Sequence, residues 1–527
     1  MKHKISALIA AALISAVPSF AQDLNPQVQV TNDYKAEFGK AAKQAVPLEI
    51  PDSLNSFRTT VSYNVFATPY KGAYEFVPYE ISVTPQKPVS DYSILSVKAG
   101  AGYPLRPMLK AAWTPVHNGN TVTVFNDFNG YMGYYDRLDG GASYGGHDFS
   151  EKFGVEGRWV ARNFVLSLGA DYQGIFTRDY ALNTSFNDFT LRGNIRSDVD
   201  TRIIYNMAFE VNQAYDPMVS QTGVAVRGGF FPNWALPFTL RMDFDVESDF
   251  YENGGYDNVF VGQVSAKALF DWDPVRLSAG VNLSPASDIQ WLYPDVTITA
   301  DLFDKTTQVY ASVKGGQFAK SYTDFKLGEH WFNPSYIAKF RPTLERLNAS
   351  LGFRGSAFKF LQYDIRGGWV SYSDAPMYYW KANPADASLM DYGVVYRDYN
   401  SWYVDEQIHW KSSRLDIDLC GGYRKTNVTL NDSFLDLPMF KGSLNVVYNW
   451  NSRIFAGIRA SGMTARAGRS NSLPGFVDLG LQGKYRINNN FGVWLNAGNL
   501  LNGRITVSPL HMEKGIYFQG GITLNLR

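Results

Sequence analysis

The chain has 527 residues, with 49 Lys+Arg against 49 Asp+Glu and hence zero formal net charge; 19% of residues are charged, 15% aromatic, and 46 are glycine. A soluble multidomain enzyme of this length carries charge on about a quarter of its residues, and a neutral chain without a basic block has no electrostatic footprint for nucleic acid. The lone Cys420 excludes a disulfide framework and a Cys-based zinc site, and the lack of any run of about 18 apolar residues beyond the N-terminus excludes transmembrane helices.

Lys2 and Lys4 precede an apolar stretch from Ile5 to Val17, and Ser19-Phe20-Ala21 places small residues where a signal peptidase needs them. Residues 1–21 therefore read as a cleaved signal peptide that leaves Gln22 first and directs the chain out of the cytoplasm. The stretch is too short to span a bilayer, and no cysteine follows the cut, which argues against a lipoprotein.

Residues 22–90 form a short N-terminal extension. Tyr34, Phe38, Ala41, Ala42 and Val46 fall at helical spacing behind Asn32 and Asp33 as N-cap candidates, and Pro47 and Pro51 end that helix. Residues 53–88 are extended, aromatic and punctuated by proline. They suit a periplasmic tail, a reduced plug folded into a lumen, or a docking arm for a periplasmic partner.

From about residue 91 to 527 one unit repeats: an alternating segment of about ten residues, then a turn. In the segment from Phe238 to Glu247, Phe238, Leu240, Met242, Phe244 and Val246 alternate with Thr239, Arg241, Asp243, Asp245 and Glu247. Alternate side chains of a strand point to opposite faces, so one face is apolar and the other mostly charged. Leu415, Ile417 and Leu419 likewise oppose Asp416, Asp418 and Cys420, and Leu481 and Tyr485 oppose Gln482, Lys484 and Arg486.

A soluble sandwich or propeller also alternates, but this pattern runs over roughly 400 residues, far past one such domain. Trp159, Trp272, Trp410 and Trp450 sit just before tight turns, where an aromatic girdle belongs. Connections alternate between short ones, such as Asp273–Pro274 and Asn451–Ser452, and long ones, such as Tyr134–Gly146, Tyr322–Pro342 and Tyr372–Tyr392. These are the two rims of an all-β, transmembrane antiparallel β-barrel of about 22 strands in the outer membrane, with lipid around it. The last segment, ending at Arg527, is placed to close the barrel against the first strand.

Arg241, Asp243, Asp245, Glu247, Asp416, Asp418, Lys484 and Arg486 are the expected lumen lining. Tyr134, Tyr135, Trp331, Phe332, Tyr379 and Trp380 fall in the long connections and are expected to project outside as recognition candidates, since aromatics with polar neighbours stack on sugars or meet proteins. His3, His117, His147, His330, His409 and His511 show no ligand spacing, and no nucleophile elbow or phosphate loop occurs, so no enzyme activity, metal or cofactor is expected.

The segment Phe491-Gly492-Val493-Trp494-Leu495-Asn496-Ala497-Gly498-Asn499-Leu500-Leu501-Asn502 resembles the penultimate strand of TonB-dependent outer-membrane receptors, in which an N-L-[FL]-[ND] tail leads to the last strand. The resemblance covers the barrel. Those receptors carry a plug of well over a hundred residues, whereas only residues 22–90 precede the first strand here. Together with Pro69-Tyr70-Lys71-Gly72-Ala73-Tyr74-Glu75-Phe76, this resembles plugless receptor-like barrels of Bacteroidota type. It implies passive or partner-gated, porin-like passage of polar solutes. The alternative is a structural subunit of a larger outer-membrane complex for protein assembly or secretion, with periplasmic or outer-membrane protein partners.

Overall fold

The computed structural model describes residues 94–526 apart from 118–119, 138–140, 179–182, 198–202, 233–236, 285–290, 304, 338, 359, 383–389, 428–433, 436–437, 468–471 and 507–510. The signal segment, the extension at 22–90 and its expected helix lie outside the described residues.

One antiparallel sheet contains 24 segments, two of which are the two-residue pieces Val116–His117 and Phe434–Leu435; the other 22 form a ring. Each strand pairs with the next in sequence. The first, Leu95–Tyr103, closes the ring against the last, Tyr517–Leu526, from Leu95 opposite Leu526 to Tyr103 opposite Phe518. Closure satisfies the edge groups that an open sheet would leave bare in lipid.

The two rims differ as the alternating connections require. On the turn rim, the Arg453 N–H donates to the Trp450 carbonyl across Asn451 and Ser452, both at positive φ (54° and 56°). Two left-handed residues make a turn whose twist matches that of the strands it joins. The loop rim carries the long connections, and the largest that is almost wholly described runs over 320–341.

Most apolar members of the strands face out. Met242, Phe250, Phe260, Val264, Leu351 and Ile522 are all exposed, a state that costs nothing in lipid and about 1.5–3 kcal/mol per side chain in water. Trp159, Trp272 and Trp450 are exposed on this face at the turn rim, the height of an interfacial girdle.

The expected long connection at Tyr372–Tyr392 is much shorter than the sequence pattern suggests. Leu361–Ala382 and Met390–Lys411 are each 22 residues long and paired from Leu361–Trp410 to Ala382–Met390, with a register shift between Tyr372 and Ala375. A tilted strand crosses the hydrocarbon in about 9–11 residues, so roughly half of this hairpin stands beyond it. Alternation stops where lipid stops, but pairing does not. Tyr379 and Trp380 accordingly lie on a strand, and the Trp380 side chain lies outside the described residues.

Candidate functional site

The inward face of the ring is a lattice of ions held by strand register. Arg227 donates from Nε to Asp245 (3.0 Å) and from a terminal nitrogen to Glu247 (3.1 Å) on the adjacent strand. Arg241 bonds Asp243 at 2.7 Å, and Lys267 bonds Asp295 at 2.5 Å while reaching Asp243 at 3.9 Å. Lys152 (3.3 Å) and Arg192 (3.1 Å) flank the buried Asp171 from either side. Cross-strand neighbours on one face lie about 5 Å apart, so a carboxylate placed between two cations neutralises without distorting the ladder.

On the C-terminal half, His409 hydrogen-bonds the Asp418 carboxylate directly across the ladder, and Asp416 lies 3.8 Å from the same nitrogen. One donor atom from each of the three falls within 4.8 Å of the others. Sequence spacing hides this nitrogen–oxygen set because it forms only when Leu415–Asn427 folds back on Met390–Lys411. It is the described residues' one grouping of a kind that holds a divalent metal. Cys420 follows on the same face, opposite Gln407 and half-buried. Lys484 faces Trp494 on the next strand, and the Arg486 guanidinium lies over the Phe455 ring at 5.6 Å.

The loop rim holds the feature that the sequence pattern does not show. Ser321 starts a helix over Tyr322–Gly328: its Oγ accepts from the Asp324 N–H (3.1 Å), and the Asp324 carboxylate accepts from the Ser321 N–H (3.0 Å). This Ser-x-x-Asp box satisfies end groups that a seven-residue helix would otherwise leave bare. The helix then packs against the inside of the barrel. Tyr322, Phe325, Phe332, Ile337 and Phe340 form one buried cluster with Ile175, Phe186, Ala214, Tyr251, Val259 and Val261. Those wall residues share the inward face with Asp171, Asp188, Asp249 and Glu247, as the registers of Ile175 with Phe186, Asp188 with Ala214, and Glu247 with Val261 require.

The loop also reaches far around the ring. It leaves the thirteenth strand, Thr307–Ala319, and re-enters the fourteenth, Pro342–Ala357. His330 Nδ1 meets Asp148 Oδ1 at 2.7 Å on the fourth, Tyr144–Val160. Nine places in a ring of 22 is close to the half-circumference of eleven, so the loop crosses the lumen. On the way Tyr322 donates to Asp216, Gln221 Oε1 accepts from the Thr323 N–H (3.0 Å), and Tyr256 donates to the Pro334 carbonyl (2.7 Å). Beyond His330, Trp331 stacks on His511 at 3.6 Å between ring centroids. Gly393 is bare because a Cβ there would lie 2.5 Å from the Tyr336 carbonyl, so this strand position admits the loop backbone.

This placement corrects the expectation that the loop aromatics project outside. Tyr135 and Phe332 are 2% and 1% exposed. Tyr135 packs edge-on to Trp331 at 5.7 Å, and Tyr379 donates to the Tyr336 carbonyl at 3.3 Å. Tyr134, at 70%, is the open one. The aromatic character of these connections makes a core across the mouth. One sequence signal accompanies it: Ile175, Phe186, Val259 and Val261 put apolar residues on the charged face at the loop end.

Two imidazoles in this core are displaced in opposite directions. Burial alone pushes His511 down to about 3, so it is held neutral. For His330 burial also disfavours the cation, but the hydrogen bond and charge of Asp148 outweigh it and raise the value above the ordinary imidazole range.

The tail motif at the penultimate strand also resolves into chemistry. Asn499 and Asn502 take positive φ (49° and 52°). The buried Asn499 side chain donates to the carbonyls of Gly503 (2.7 Å) and Gly515 (3.0 Å) and accepts from the Gly503 N–H (2.9 Å). It ties together the two legs of the connection to the last strand.

The class that this geometry defines is a closed 22-strand antiparallel β-barrel, apolar outside and ion-paired within. No protein-family model matches the chain, and no curated protein matches it in sequence. Solved structures match in fold. The copper transporter OprC is similar at a TM-score of 0.61 and 12% identity, over 82% of this chain and 80% of that one. The siderophore receptor PirA from Acinetobacter baumannii gives 0.60 and 9%, over 82% and 80%. The FrpB iron transporter from Neisseria meningitidis gives 0.60 and 10%, over 82% and 81%. At these identities the likeness is one of fold: these structures share the closed barrel.

Proposed function

We propose that the protein is a non-enzymatic outer-membrane barrel that passes polar solutes, with the connection 320–341 as its gate. The observation that carries this is the loop crossing a polar lumen: a bridge seated on the inner wall controls a path through the ring. The names of the similar structures, transporters and receptors for copper, iron and siderophores, support passage as the general role. Residues 22–90 are taken as the periplasmic tail, reduced plug or docking arm read from the sequence, and a Bacteroidota-type plan without a full-length plug domain is part of the same proposal.

The test is planar-bilayer conductance of the chain from Gln22, of a form lacking 22–90, and of a form in which 322–340 is replaced by a short glycine-serine link. Conductance that rises on replacing the loop supports the gate. Conductance that rises only on removing 22–90 makes that segment the barrier. Silence from all three refutes passage.

A second reading, a structural subunit of an assembly or secretion complex, is favoured by the projecting hairpin of Leu361–Ala382 and Met390–Lys411, which offers paired strands beyond the membrane as a contact surface. Co-purification of a stoichiometric partner that is lost when 372–399 is trimmed supports this reading.

A further inference from the structure

The six consecutive strands around the closure are unbalanced in charge. Ile454–Met463, Phe476–Arg486, Phe491–Gly498, Tyr517–Leu526, Leu95–Tyr103 and Met108–Trp113 carry Arg459, Lys484, Arg486, Lys98 and Lys110 but a single carboxylate, Asp478. Asp478 stands six residues from Lys484, about 20 Å along a strand, and its carboxylate accepts from the Asn499 N–H at 2.7 Å. The opposite arc has no such surplus: Asp243, Asp245, Glu247, Asp295 and Asp301 all have cationic partners.

The cations share the inward face. Ile458, Leu481, Val493, Ile522 and Leu109 are exposed on the outer face of five of these strands. Lys98 stands opposite Thr523 and Lys110, each one position from the outward pairs of Ala99 with Ile522 and Leu109. Lys484 stands opposite Trp494 and Phe455. Like charges placed directly opposite each other, as Lys98 and Lys110 are, cost stability. Lys110 has Asp127 at 2.7 Å, but among the described residues Lys98 and Lys484 have no carboxylate within ion-pair distance. Lys98 is within electrostatic range of Lys110, Lys484 and Arg459 at once.

An aromatic floor lies between them. The Trp494 indole is buried, donates to the Ile522 carbonyl (3.3 Å) and carries the Lys98 ammonium 4.4 Å from its ring centroid. It lies flat because the neighbouring strands are bare beneath it: a Cβ on Gly100 would come within 2.4 Å of its Cζ2. The ring fixes the direction of Lys98 by holding its ammonium over the aromatic face.

We infer that Lys98, seated over Trp494, together with Lys110 and Lys484 on the neighbouring strand positions and Arg459 nearby, forms a lumenal binding site for a small, multiply charged oxoanion. Lys98 and Lys484, the two ammonium groups without a carboxylate partner among the described residues, are neutralised by a ligand that brings both charge and acceptor oxygens, and phosphoryl and polycarboxylate groups supply these. The site deepens the passage reading by giving its solute a charge class. It rests on that reading only for its purpose, because binding is measured without transport.

The test titrates the full chain in detergent with sodium pyrophosphate and, separately, with citrate, by calorimetry at low ionic strength. The expected result is saturable binding of at least one, weakened about tenfold or more in Lys98→Gln/Lys484→Gln, since each substitution removes a charge-assisted hydrogen-bond donor. Lys411→Gln, a lysine elsewhere on the inner wall, leaves the affinity unchanged, and Lys98→Arg/Lys484→Arg retains it. Which probe binds distinguishes a phosphoryl from a carboxylate ligand. With no ligand added, the double Gln variant melts at the same or a higher temperature, because repulsion is removed; a structural role for these lysines would lower it. No saturable binding of either probe, or equal affinity in the double Gln variant, overturns the inference. Anion binding in a barrel that never conducts would sink the passage reading and leave this site standing.

Discussion

Phe325→Ala tests whether the loop across the lumen is a seated element or a surface strand of chain. Phe325 is 1% exposed and meets Phe332 at 5.5 Å, Tyr378 at 5.9 Å and Phe340 at 6.1 Å between ring centroids. Truncating a phenylalanine packed on this many sides costs about 3–5 kcal/mol. The barrel ladders do not pass through Phe325, so the cost falls on docking of the loop rather than on closure of the ring. At about 1.4 kcal/mol per tenfold, 3 kcal/mol increases the undocked population roughly a hundredfold. Hydrogen exchange reads this directly. The Phe325 and Glu329 amides, bonded to the Ser321 and Phe325 carbonyls, lose about two decades of protection, while amides in Leu95–Tyr103 keep theirs. Bilayer conductance rises in parallel. Unchanged protection at Glu329, or equal loss in the loop and the barrel, would refute the seated gate.

Two further predictions concern pH and have opposite signs. His511 has a folded value near 3 against an ordinary 6.5, so its contribution is full above about 6.5 and is lost as pH falls. At pH 5 that is about 2 kcal/mol; loop protection measured at pH 7 and pH 5 falls accordingly, and His511→Phe flattens the response. His330 has a raised folded value, so its contribution is full below about 6.5 and is lost as pH rises through that higher value. Asp148→Asn removes this dependence, as an NMR titration of His330 would show by a return toward the ordinary range. Asn499→Ala leaves three backbone groups without their partner and costs about 3 kcal/mol, read as faster exchange at Gly503 and in the connection to the last strand. A shift spread evenly over all strands would contradict the local role given to Asn499.

Alternation fixes which face of a segment meets lipid, because a strand has period two and the bilayer rewards a continuous apolar face. The segment from Phe238 to Glu247 therefore announced its two faces. Alternating short and long connections announced an even ring, and Asn499-Leu500-Leu501-Asn502 announced the turn before the last strand. The sequence by itself determined the barrel, its size and its orientation of polarity.

Partners across the ring were another matter. His409 meets Asp416 and Asp418 only through the register of one hairpin, and Lys98 meets Trp494 and Lys484 only because the last strand closes on the first. The loop across the mouth departs furthest from the pattern, since an aromatic connection reads the same whether it points into water or folds inward. Tertiary structure decided that direction: apolar wall residues at Ile175, Phe186, Val259 and Val261 exist only on the inside, and burying Phe325, Phe332 and Phe340 there removes both surfaces from water at once.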